Sequence, residues 1–188
     1  INIIALALAV LIGDGGAAYL SLKLGEGDLY SVKKGVGNAA VMITIAGIAM
    51  LVITIVFMNP ILTLFGATDV LRPAALEYGY VIAIGLPFTM ISTALNAMIR
   101  ADGSPKFSMA GLLLGCITNI ILDPIFIFVF HWGVKGAAWA TIAGQILNAF
   151  LYLAYIWKFK SIKLDKECFC ISRKVMAKVS SLGISSFI

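Results

Sequence analysis

The chain has 188 residues, 61% hydrophobic and only 12% charged, with a mean hydropathy of +1.03. Too few polar residues remain to cover a water-soluble fold, and the charges are bunched between long neutral runs, so the composition describes a membrane protein and excludes an ordinary soluble domain. The net charge of +5 sits in loops beside apolar runs, where membrane topology accounts for it without nucleic acid.

Taken in chain order, the neutral runs predict five transmembrane helices at residues 1–22, 36–58, 77–99, 107–130 and 136–157, with a sixth beginning near Arg173. The first run carries no basic leader and no clean cleavage site, so it reads as a span and not as a signal peptide. Ile1 lies inside that run and Ile188 inside "VSSLGISSFI", so the sequence is expected to be a fragment. The run from Gly35 to Thr68 exceeds one crossing and is expected to break at Asn59 and Pro60, leaving "ILTLFGAT" as an interfacial turn. In the loops, Gly25 of "LGEGD" is expected to end a helix, and Ser104 and Pro105 of "DGSPK" to start one as N-cap and first helical residue. Close helix contacts are signalled by Gly111 and Gly115 on the fourth span and by Gly136, Ala140 and Gly144 on the fifth.

Alternation of the loops across a bilayer puts all of the 14 Lys and Arg on one side except Arg72 and Lys135. The basic side is therefore expected to be cytoplasmic, with the first span running outside to inside. Cys116 lies in an apolar run, and Cys168 and Cys170 in a basic loop; these make no disulfide framework and are expected to be reduced thiols. Among enzyme signatures the sequence has no His/Cys metal constellation, no Gly-x-Ser-x-Gly elbow and no phosphate loop, so neither an enzyme nor a cofactor is expected.

The chemistry-bearing stretch is "NIILDP", residues 119–124, a carboxylate inside the apolar run from Phe107 to Phe130. Asp123 follows Pro105 by roughly 27 Å of helix rise, in the outer part of the fourth span. Asn119 is one turn earlier on the same face, and Pro124 removes a backbone donor, leaving a carbonyl spare. An ionised Asp at a helix centre costs about 2.5 to 3.5 kcal/mol on insertion scales, and binding a proton or cation removes that cost. Thr141 and Gln145 on the fifth span and Asn96 on the third offer further oxygen ligands. The alternative is purely structural: Asn119, Thr141 and Gln145 as interhelical hydrogen bonds of about 0.6 kcal/mol each, with Asp123 a paired group. Asp14, in "GDGGAA", is a second mid-span acid that either faces a cavity or caps a broken turn. Glu77, near Tyr78 and Tyr80, and His131 with Trp132 read as interfacial anchors.

Five stretches in order, "SLKLGEGD", "LTLFGAT", "IRADGSPKFSM", "NIILDPIFIFVF" and "WGVKGAAWATIAGQ", resemble prokaryotic MATE (multidrug and toxic compound extrusion) transporters across nearly the whole chain. The resemblance implies an all-α polytopic bundle, a fragment of a twelve-helix, two-lobe protein lacking its first helix and C-terminal lobe. Residues 1–158 would be helices two to six, 159–172 a basic cytoplasmic inter-lobe loop and 173–188 the start of helix seven. It further implies a plasma-membrane antiporter that exports cationic, amphipathic organic compounds by alternating access, coupled to H+ or Na+. The N-terminal lobe's cation site, open to a proton or sodium, looks similar to Asp123, Asn119 and Thr141, with Asn96 on the same cavity. Asp14 and Gln145 match no family role, and the family's acid on helix one has no counterpart here. The alternatives are a related lipid-linked sugar flippase, for which a cavity with several Arg is expected, and a non-transporting membrane subunit.

Overall fold

The computed structural model describes residues 1–64, 66, 68, 71–156, 159, 168 and 171–185. The expected basic loop at 159–172, with Cys170, lies almost entirely outside the described residues. The chain forms α1 (Asn2–Gly25), α2 (Leu29–Leu64), α3 (Arg72–Ala101), α4 (Pro105–Pro124), a π-helical turn (Ile125–Val129), α5 (Gly133–Ile156) and α6 (Arg173–Ser185). Among the described residues, five helices are long and apolar enough to cross a bilayer, α4 with its π-helical turn counting as one.

Two boundaries differ from the sequence reading. The second span does not break at Asn59 and Pro60: α2 runs from Leu29 through Pro60 to Leu64. Its 36 residues rise about 54 Å, enough to pass both edges of the hydrocarbon. Proline costs a hydrogen bond but does not have to end a helix, and beside it Thr63 Oγ1 donates back to Asn59 O at 3.0 Å while accepting Arg72 Nη2 at 2.8 Å. Helix α1 does reach Gly25, but the left-handed cap residue is Gly27, with φ of 74°.

The α1–α2 and α3–α4 hairpins share one design. Asp28 N bonds Lys23 O at 3.0 Å while Gly27 N bonds Leu24 O at 3.1 Å, a Schellman closure. Gly103, with φ of 79°, repeats it: Ser104 N bonds Ile99 O at 3.2 Å and Gly103 N bonds Arg100 O at 3.1 Å. The following residue then starts the next helix. Asp28 Oδ1 accepts Ser31 N at 3.0 Å as an N-cap, whereas Ser104 holds the cap position without a side-chain bond.

Helix α3 is the hub, packed on α1, α2 and α5, while α6 lies on α1 and α2. The crossings run through small residues, as apolar helices in lipid require when water supplies no driving force between them. A β-carbon at Gly13 would lie 2.7 Å from Ala94 Cα, and one at Gly47 would lie 3.0 Å from Pro87 Cα. Gly15 and Gly183 bring the backbones of α1 and α6 together. Fully buried Asn38 completes that junction, accepting Ser172 N at 2.8 Å and donating to Lys34 O at 2.8 Å. Helix α4 sits at the edge, with only Ser108, Gly111 and Gly115 buried and Leu113, Ile117, Ile120 and Ile121 exposed.

Candidate functional site

The buried stripe of α4 faces α5 in antiparallel register at four-residue steps. Tyr152 lies over Gly111, Asn148 over Gly115, and Gly144 meets the Gly115 carbonyl, with Asn119 Cβ 3.7 Å from where its own β-carbon would be. Further out, a β-carbon at Gly136 would lie 2.8 Å from the carbonyl of Phe126. Glycines thus bracket Thr141 on α5, and their absent side chains let its short hydroxyl reach α4.

What it reaches is Asn119. Asn119 Nδ2 donates to Thr141 Oγ1 at 3.4 Å and to Asp123 Oδ1 at 3.5 Å, both long, and Thr141 Oγ1 in turn donates to Ala137 O at 3.0 Å. All three side chains are half-buried. Among the described residues no Lys or Arg pairs with Asp123. Rotating the Asn119 amide by a half-turn would set three oxygens around one point: a carboxylate, an amide and a hydroxyl. One carboxylate with two neutral oxygens suits a proton or a hard monovalent cation. No group of three His, Cys, Asp or Glu that could hold a metal ion occurs among the described residues.

Immediately after Asp123 the helix changes pitch. Pro124 has no N–H, and the chain continues as a π-helical turn closed by Phe130 N on Ile125 O at 3.0 Å. Beyond it Phe126, Phe130 and Trp132 form a cluster with ring centroids 5.4 to 5.8 Å apart, and His131 Nδ1 lies 3.1 Å from Val129 O with φ of 56°. Glu77 pairs with Lys135 between the N-terminal parts of α3 and α5.

Two of the other expected residues lie elsewhere. Asn96 is not with Asp123: it is near the C-terminal end of α3, level with the start of antiparallel α4, and donates to Tyr152 Oη at 2.9 Å and Ser108 O at 3.5 Å. Gln145 stacks on α3, where a β-carbon at Gly85 would lie 2.6 Å from its Oε1. Asp14 and Asn96 instead share a cavity of about 350 Å³ with Arg100, Asn148 and Tyr152. Sequence reasoning passed over Asn148 and Tyr152. Their four-residue spacing, matching Gly111 and Gly115 on the preceding helix, was the available signal.

The sequence profile of the family described as MatE matches residues 1–125. The multidrug export protein MepA of Staphylococcus aureus (strain MSSA476) is 31% identical over 191 residues, spanning 98% of this chain and 41% of that relative. MepA of Staphylococcus haemolyticus (strain JCSC1435) is 29% identical over 97% of this chain and 41% of that relative. Among solved structures, a crystal structure of MATE in the bent conformation superposes with a TM-score of 0.91 at 22% identity, over 98% of this chain and 42% of that one. The outward-facing conformation of a multidrug resistance MATE family transporter matches with a TM-score of 0.87 at 25% identity, over 98% of this chain and 41% of that one. The chain spans about 41% of the length of these curated relatives. An all-helical bundle with five membrane-crossing helices, the same bundle in solved MATE structures and a profile match over most of the sequence agree: the chain belongs to the MatE family.

Proposed function

We propose that this chain is part of the N-terminal lobe of a cation-coupled antiporter that exports organic cations by alternating access. Residues 1–158 are its helices two to six, 159–172 the cytoplasmic inter-lobe loop and 173–188 the start of helix seven. The observation that carries the reading is that Asn119 links Thr141 to Asp123, an intramembrane carboxylate with no cationic partner among the described residues. Similarity to multidrug export proteins supports the class of cargo.

In this reading Asp123 loads a proton or sodium ion from the outer side, with Asn119 and Thr141 supplying neutral oxygens, and loading favours release of the exported compound. Neutralising the carboxylate removes its cost in the apolar environment, so the loaded and unloaded lobes differ in the free energy of exposing the site to water. One charge moving inward through 100 mV yields about 2.3 kcal/mol, which supports roughly a fifty-fold substrate gradient if coupling is tight. The basic loops face the cytoplasm and the protein resides in the plasma membrane.

The test uses the full-length chain in vesicles: wild type and Asp123→Asn at matched folded amounts, with cationic-dye transport measured under imposed proton and sodium gradients. Wild type is expected to respond to one gradient, which identifies the ion, and the variant to lose that response while still binding dye. Gradient-driven transport that survives in the variant would make Asp123 structural and sink the mechanism.

A further inference from the structure

Helices α1 and α6 run antiparallel and meet backbone to backbone. Gly15 takes the carbonyl of Val179 and Gly183 takes that of Leu11, with no room for a β-carbon at either. From this crossing toward the C-terminal end of α1 and the N-terminal end of α6, the two helices line a cleft of about 330 Å³. Its character changes along that direction. Leu182 and Tyr19 give it an apolar wall near the crossing, and its charged groups are Lys178, Lys174, Lys23 and Glu26 toward the helix ends.

Three ammonium groups meet one carboxylate, and that carboxylate is taken: Glu26 pairs with Lys23 on its own helix. Lys174 and Lys178 make no ion pair among the described residues and stand one turn apart on one face of α6, with β-carbons about 6 Å apart. Lys178 is the informative one. Tyr19, across the cleft from it, lies six residues before the end of α1, so Lys178 leaves its helix roughly 9 Å inside the end of a helix that is long and apolar enough to cross a bilayer. An ammonium there reaches toward the interface on its apolar stem and needs an anion at the end of it. The described residues of the cleft leave none free for it. A bilayer has phosphates at that level and acyl chains just below, in the same order as the charged and apolar parts of the cleft.

We propose that the cleft between α1 and α6 binds one anionic phospholipid, with the headgroup phosphate held by Lys174 and Lys178 and an acyl chain laid along Tyr19 and Leu182. A soluble phosphate shares the headgroup chemistry but leaves the apolar wall uncovered, and this selects the lipid. The site goes beyond the transport reading and does not depend on it, since it uses neither Asp123 nor a gradient.

The experiment is native mass spectrometry of the delipidated full-length chain in neutral detergent, titrated with dioleoylphosphatidylglycerol and, separately, with zwitterionic dioleoylphosphatidylcholine. The first phosphatidylglycerol is expected to bind at least about tenfold more tightly than phosphatidylcholine. Lys174→Gln and Lys178→Gln are each expected to weaken it about fivefold, the worth of one lysine beside an anionic headgroup, and the double variant by more than about tenfold. Lys178→Arg keeps the charge and is expected to stay within about twofold, as is Lys106→Gln, which removes an exposed lysine outside the cleft. Soluble glycerol 3-phosphate at about tenfold excess over the lipid is expected not to displace it, because it cannot use the apolar wall. Equal binding of the two lipids by wild type overturns the proposal whether or not any variant folds. An unchanged double variant, or a loss as large in Lys106→Gln, would overturn it as well, by reducing the effect to charge spread over the surface. Displacement by glycerol 3-phosphate would assign the cleft to soluble phosphate and overturn the lipid. None of these outcomes bears on the gradient response of Asp123, so the two readings fail separately.

Discussion

Gly144 of α5 lies against the carbonyl oxygen of Gly115 of α4, where a β-carbon would come within 2.8 Å of it. That contact is backbone, so it cannot be relieved by a side-chain rotation. Gly144→Val is expected to push α5 away from α4 and to separate Thr141 from Asn119, whose present 3.4 Å contact is already long. Overpacking of this kind costs about 1 to 3 kcal/mol. A lowered thermal-unfolding midpoint together with weakened coupling-ion binding is the expected result; an unchanged midpoint would mean that the crossing relaxes freely.

Tyr152 ties three helices through one oxygen, to Asn96 on α3 and Ser108 on α4. Tyr152→Phe keeps the ring over Gly111 and removes only the hydroxyl, so the expected loss is about 0.6 kcal/mol, with about 1.7 as the upper end for membrane hydrogen bonds. Tyr152→Ala also empties the groove and is expected to cost several times more, about 3 to 5 kcal/mol by analogy with buried aromatic truncations. Denaturation in mixed micelles compares the two. Equal losses would show that the hydroxyl, and not the ring, holds α4 to α5.

Outside the spans, hydrogen bonds from Ser31 hold the Asp28 carboxyl below its ordinary range. A depressed folded value means that the carboxylate contributes stability above the unfolded pKa, and that this contribution is lost as pH falls through the folded value. The α1–α2 hairpin of wild type is therefore expected to loosen in acid, below about pH 4, more than that of Asp28→Asn, which cannot titrate. Amide hydrogen exchange at Tyr30 and Ser31 as a function of pH reports it. Identical pH profiles would remove the cap from the account.

How much of this was legible beforehand follows from what carries each feature. Helix number and the Asn119–Asp123–Thr141 cluster are written locally: apolar runs of span length, and polar residues one turn apart on neighbouring helices. The glycine pairs at 111 and 115 and at 136 and 144 announced close crossings, and the structure fills them with Tyr152, Asn148 and backbone. The continuation of α2 through Pro60 was not legible, because a proline that a helix tolerates and one that ends a helix look alike in sequence. The separation of Asn96 from Asp123 was legible in the span positions alone, Asn96 beside Arg100 at one end and Asp123 toward the other, and it was the resemblance that put them on one cavity. Asp14 was visible as an oddity, but its cavity is made by α3 and α5, far along the chain.

Pro124 converts a local rule into a geometric consequence. Because it cannot donate to the turn before it, the next residues wind as a π-helical turn, and everything beyond is rotated relative to a continuous α-helix. Pro124→Ala supplies the missing N–H and is expected to restore α-helical pitch, turning Phe126, Phe130 and Trp132 by about 100° about the axis. Asp123 and Asn119 precede the change, so ion affinity is expected to stay within about threefold of wild type. The Phe126 backbone would leave its seat on Gly136, weakening the link between the proposed ion site and the C-terminal end of the π-helical turn. A coupling loss of about 0.5 to 2 kcal/mol corresponds to roughly a two- to thirty-fold drop in gradient-driven transport. Ion binding and transport measured on the same reconstituted protein separate the cases. If both fall together, Pro124 shapes the site itself; if neither falls, the π-helical turn plays no part in the cycle.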